Sequence, residues 1–195
     1  MTGQDDGMPG GHEEGRRERI LGAALYLFTT SGFHATPTSQ ISREAGVSTG
    51  TLFHYFPDKQ ALIDGLYLSI KQEMIAEVQD EADPSLPTRV LLEQGFLRYI
   101  AWGRANPEKV RFLTQFHHSP NISEAVQTRA YEEFRWIQEL FIRAIREGIL
   151  SDHPVHYHQV MVAQILTGIL ELLGTDEGSA SADAIIAAGI AKIFQ

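Results

Sequence analysis

The 195-residue sequence contains no cysteine, which excludes disulfides, thiolate nucleophiles and thiolate-ligated metals and suits a reducing compartment. No run approaches the roughly 18 uncharged apolar residues that a membrane span needs, so no membrane partner is expected. The opening MTGQDDGMPGGHEEG is acidic and has no apolar stretch, so it does not read as a signal peptide. Its Gly, Asp and Glu content reads as a disordered tail over residues 1–14, and a cytoplasmic location is expected. Catalytic signatures are missing too. There is no Ser-His-Asp motif, no Gly-rich phosphate loop and no metal cluster, so no enzyme activity, catalytic residue or cofactor is expected. The histidines at 117, 118, 153, 156 and 158 lack a helical i, i+4 pair of the His-Glu-x-x-His kind, and no metal site is read from them.

Period-two alternation, the mark of a half-buried strand, is also absent, whereas helical periodicity runs through nearly every segment. Ile20, Ala24, Leu27 and Phe28 form an amphipathic stripe over about Glu13 to Thr30, ended by Ser31-Gly32. Thr38 then reads as the N-cap of a short helix ending at Gly46, and Ser48 as the cap of the next, to about Phe56. Asp58 caps a long helix through Leu62, Leu66, Ile70 and Met74. Further helices run through Leu92 to Ile100, from Asn106-Pro107, from a capping box at Asn121 and Glu124 through Ile145, over 157–173, and over 182–194 after the turn GTDEGSAS. The expectation is an all-α chain of about nine helices.

Charge is uneven along the chain. The net charge is −9, yet residues 16–60 carry a net +2, against −7 from Ala61 onward. A mildly basic module on an acidic body is one that nucleic acid can approach. The last two helices are apolar nearly all round: between Val160 and Leu173 only Gln164, Thr167 and Glu171 have polar heads. Such helices are buried on more than one side. Either their own domain wraps them, or a second chain covers them; a homodimer is the simpler source of cover. The residues assigned to that interface are Val160, Ala163, Leu166, Leu170, Ile186, Gly189, Ile190 and Ile193.

SQISREAGVSTGTLFHYF is two short helices joined by a Gly-containing turn, the helix-turn-helix pattern. Ile41, Ala45, Val47, Leu52 and Phe56 clasp the pair together and leave the front of the second helix exposed. Small residues there let backbone approach base edges, and threonine offers a methyl and a hydroxyl to them. The helix start attracts a phosphate oxygen, Tyr55 can donate to one, and Lys59 adds charge nearby.

The stretch RRERILGAALYLFTTSGFHATPTSQISREAGVSTGTLFHYFPDKQAL, from Arg16 to about Ile63, resembles the N-terminal region of TetR-type transcriptional regulators. GF.AT, I...AGVS.GTL..YF and the lysine after YFP carry the likeness. The resemblance implies a helix-turn-helix DNA-binding domain at 15–60 and a larger ligand-binding and dimerisation domain at 61–195. By position, it sets Thr38 and Ser39 at phosphate and Thr49, Gly50, Thr51 and His54 at the bases, with Tyr55 and Lys59 on phosphates and Ser48 also among the DNA-binding residues. Pro37 departs from the pattern.

Residues 96–141 hold nine of the eighteen aromatics. With the cavity the resemblance implies, Phe96, Tyr99, Trp102, Phe112, Gln115, Phe116, His117, Phe134 and Phe141 are candidate walls for an unknown small-molecule effector; a filled core is the competing reading. The functional expectation is a repressor that binds a palindromic operator in double-stranded DNA as a homodimer and is released by its effector. A ligand-dependent activator or a corepressed regulator is the alternative.

Overall fold

The computed structural model describes residues 9–79, 83–116 and 119–195. Its described residues form eleven helices and no strand: α1 (Pro9–Ser31), α2 (Thr38–Glu44), α3 (Thr49–Tyr55), α4 (Lys59–Gln79), α5 (Thr88–Ala105), α6 (Pro107–Phe116), α7 (Glu124–Glu133), α8 (Arg135–Arg146), α9 (Val155–Leu173), α10 (Asp176–Ala180) and α11 (Ala182–Ile193). The all-α class is as expected, with two helices more than the sequence suggested. One comes from a break at Phe134 (φ −89°, ψ 7°), where the Ile137 amide bonds three residues back instead of four. No glycine or proline marks that break. The other is α10, which occupies part of the supposed turn and is capped by Thr175, whose hydroxyl accepts the Gly178 amide.

Three helix starts differ from the sequence reading. α1 begins at Pro9, so residues 9–14, assigned to the tail, carry helical backbone; proline is tolerated in a first turn, where its missing N–H has no partner to lose. Residues 1–8 lie outside the described part. Pro37, not Thr38, is the N-cap of α2, and its carbonyl accepts the Gln40 and Ile41 amides. The start of α7 falls to Ser123, whose carbonyl and hydroxyl take the Val126 amide, while Asn121 turns its side chain to Ser119.

The chain divides into two compact units: one runs to Ile70 and takes in Glu108–Gln127, the other comprises Lys71–Pro107 and Thr128–Gln195. In the first, α1 packs on α2 and α2 on α3. Ile20, Ala24, Leu27 and Phe28 of α1 are buried, as are Ile41, Ala45, Leu52 and Phe56 from the next two helices. Each large side chain so buried contributes about 1.5–3 kcal/mol. The loop after α1 is pinned by Thr36, fully buried, whose hydroxyl contacts the Leu27 carbonyl at 3.3 Å and the Gly32 carbonyl at 2.8 Å. That gives the GF.AT stretch a physical role: it turns the chain from α1 into α2 without leaving buried carbonyls unpaired.

In the second unit α9 is central, packing against α5, α8, α10 and α11. Its inner face (Val162, Leu166, Ile169, Leu173) joins Leu92, Phe96, Ile100, Phe141, Ala144 and Ile193 in one core. α10 lies so close to α9 that a Cβ on Gly178 would stand 1.8 Å from the Leu172 carbonyl oxygen. Gly178→Ala is therefore expected to destabilise the protein by about 1–3 kcal/mol, the usual cost of forcing atoms into a packed site; urea denaturation beside an exposed control, Gly22→Ala, whose Cβ meets open space, checks it.

Candidate nucleic-acid interface

The turn between α2 and α3 is made by Gly46 at φ +64°, a conformation L side chains rarely adopt. Its neighbours close the end of α2: the Ala45 amide bonds to the Ile41 carbonyl and the Val47 amide to the Ser42 carbonyl. Ser48 then caps α3, accepting the Thr51 amide at 3.0 Å. This satisfies one of the orphan donors at the helix start.

Of the residues assigned to DNA, Ser39, Ser48, Thr49, Gly50 and His54 are exposed, and Thr38, Thr51 and Tyr55 are half-buried. His54 sits edge-on to Tyr55, with ring centroids 5.4 Å apart. Lys59 has a second role that the sequence did not signal. Its ammonium donates to the Phe33 carbonyl and lies 4.4 Å from the centre of the Phe33 ring, and partial burial lowers its pKa. The lysine thus ties the start of α4 to the turn after α1.

Ser42 is the residue the sequence reading missed. It is 3% exposed, its hydroxyl donates to the Ser39 carbonyl at 3.1 Å, and it lies 3.2 Å from the Thr49 hydroxyl. A polar residue beside Ile41 on the inner side of α2 was the available signal. Without coordinates its partner on α3, seven residues away, could not be named.

The aromatics assigned to an effector fall in both units. Phe96 and Phe141 are built into the core of the second, and Phe96 meets Phe194 at 6.2 Å. Tyr99 contacts Trp102, whose indole donates to Glu73 at 3.0 Å. The Lys71 ammonium lies 4.7 Å from the centre of the Phe134 ring, and burial pushes its pKa down to about 8. The Trp136 indole nitrogen is buried without a hydrogen-bond partner. In the first unit Phe112 stacks on Phe116 at 4.7 Å, and Gln115 is exposed. His117 lies outside the described residues.

The residues assigned to a dimer divide in two. Leu166 and Ile193 are buried in the core of their own chain, and Gly189 packs on Ile169, where an added Cβ would come within 2.5 Å of the Ile169 side chain. These three lie where α9 and α11 pack on each other. Leu170, Ile186 and Ile190 pack at the edge of that core, and Val160 and Ala163 are exposed. With Val160 at 40% exposure, Met161 at 43% and Tyr157 at 45%, the outer face of α9 is an uncovered apolar strip. No helix among the described residues is long and apolar enough to cross a membrane.

An all-α chain that presents a capped second helix on an apolar helix-turn-helix clasp is, by architecture, a DNA-reading protein. The family model for bacterial regulatory proteins of the tetR family matches residues 20–66. A protein of Shewanella sp. PV-4 assigned to the tetR family of transcription regulators, known from a crystal structure, is 30% identical with a TM-score of 0.83, over 92% of this chain and 96% of that one. The uncharacterised HTH-type transcriptional regulator YhgD of Bacillus subtilis is 33% identical over 137 residues, 70% of each chain. The nucleoid occlusion factor SlmA of Vibrio campbellii is 29% identical over 165 residues, 82% of each. The chain belongs to the TetR family of transcriptional regulators.

Two outcomes follow from this geometry. Ser48→Ala removes the α3 cap and is expected to cost about 1 kcal/mol, with faster amide exchange confined to α3; thermal unfolding and hydrogen exchange measure both. Lys71 loses its proton near pH 8 when folded and near 10.5 when unfolded. Between those values the unfolded state holds the extra proton, so stability rises with pH, and below about 8 the burial penalty is complete. Urea midpoints taken across that window are expected to climb in the wild type relative to Lys71→Met.

Proposed function

We propose that the protein is a cytoplasmic, non-catalytic repressor that binds a palindromic operator as a homodimer and leaves it when a small molecule binds the helical body. The observation that carries this reading is the pair α2 and α3, which leaves Thr49, Gly50 and His54 exposed and Thr51 half-buried on the second helix. Phosphate contacts from Thr38, Ser39, Tyr55 and the charge at Lys59 position that front without specifying sequence. The exposed Tyr157, Val160 and Met161, together with the partly buried Ile186 and Ile190, support a homodimer through the last two helices.

In a dimer, two reading heads engage successive major grooves only when they stand about one helical turn, roughly 34 Å, apart. An effector that favours another spacing weakens operator binding by its differential affinity, typically about 1–3 kcal/mol, and the operator weakens effector binding equally. Phe134, with the Lys71 ammonium over its ring, and the Tyr99–Trp102 pair support an aromatic or apolar effector with one polar group.

The test is selection of bound sequences from a random duplex pool by purified protein. A palindromic consensus is expected, bound with an affinity that falls with salt and drops at least tenfold on Tyr55→Ala. Sedimentation is expected to give a dimer that Val160→Glu with Met161→Glu dissociates. A monomer that binds an asymmetric single site would overturn the dimeric reading. Effectors that tighten operator binding would mark a corepressed regulator instead.

A further inference from the structure

One side chain on the exposed face of α3 has no role so far. Thr49, Gly50, Phe53 and His54 are exposed, Leu52 is buried, and Thr51 and Tyr55 are half-buried. At about 3.6 residues per turn, the four exposed positions fall within an arc of about 140°, and Phe53 lies inside it, one turn on from Thr49 and Gly50. Among the described residues of α2 and α3, Phe53 is the one large apolar side chain left exposed, at 42%. Beside it the chain is open. A Cβ added at Gly50 would find Ser48 Oγ at 3.7 Å and nothing else within 4 Å among the described residues. Neither Phe53 nor His54, the residues one turn on, closes over that glycine.

A phenyl ring carries no hydrogen-bonding atom, so phosphate oxygens and polar base edges offer it no such partner. The apolar feature of the major groove is the C5-methyl of thymine, on which phenylalanine can pack. We propose that Phe53 is a specificity-determining residue that reads thymine, its ring receiving the C5-methyl in the space left open at Gly50. Gly50 contributes by lacking a side chain there. This specificity rests on the DNA-binding reading above.

The experiment binds the full chain to its selected operator and replaces thymines, one symmetric pair at a time, with deoxyuridine, which lacks only the C5-methyl. At one position a loss of about fourfold in affinity per methyl removed is expected, from the transfer free energy of a buried methyl-sized group. Phe53→Leu, still apolar, is expected to keep most of that ratio, and Phe53→Ala to lose it. Gly50→Ala separates reading from folding. The added Cβ meets only an ordinary contact within the protein, and alanine favours helix over glycine by about 1 kcal/mol. Its melting temperature is therefore expected to equal or exceed that of the wild type, while the ratio of thymine to deoxyuridine affinity falls towards one. A purely structural Phe53 would instead lower the melting temperature in Phe53→Ala and leave the ratio untouched. Equal affinity of the wild type for thymine and deoxyuridine at every position, or a ratio that survives Phe53→Ala or Gly50→Ala, overturns this readout and leaves the regulator reading standing. A pool that yields no preferred sequence overturns both.

Discussion

The apolar clasp between α1, α2 and α3 is the constraint on which the reading face depends. Helices of seven residues are unstable alone, because nucleation costs more than so few hydrogen bonds return. α2 and α3 exist because Ile41, Ala45, Leu52 and Phe56 are buried together with the inner stripe of α1. Everything polar on the platform is arranged around that seam. Ser42 and Ser48 fix side chains, Gly46 turns the corner, and Thr36 closes the loop that delivers α2. Polar groups here do not add much net stability; they select one orientation among several that the apolar contacts alone would accept.

The second unit solves a different problem. Its central helix α9 has one face in its own core and leaves Tyr157, Val160, Met161 and Leu172 exposed. Lys71 shows how such a unit tolerates an ionisable group. The ammonium is set over the Phe134 ring, which partly compensates for lost water, and the remaining penalty appears as a proton held less firmly.

Much of the first unit was legible in the sequence because its signals are local. A stripe at i, i+4, i+7, i+8, a cap at Ser48 and a cap at Asp58 all operate within one or two turns, and Asp58 indeed accepts the Ala61 amide at 2.7 Å. What failed was whatever needed a distant partner. Thr38 and Asn121 have the right side chains for caps, but the chain turns one residue earlier in the first case and two later in the second. The Phe134 break has no breaker residue. The burial of Leu166 and Ile193 in their own chain's core was not legible either, since sequence cannot say which side of an all-apolar helix its own chain covers. Lys59 and Ser42 were obscure for the same reason, their partners lying 26 and seven residues away.

The placement of Lys59 against the Phe33 carbonyl and ring has a consequence for the two short helices that lie between them in the chain. One side chain closes a span of 26 residues, from the turn after α1 to the start of α4. The seven-residue α2 and α3 are thereby bracketed at both ends. A change at Lys59 would loosen them without touching any contact of their own.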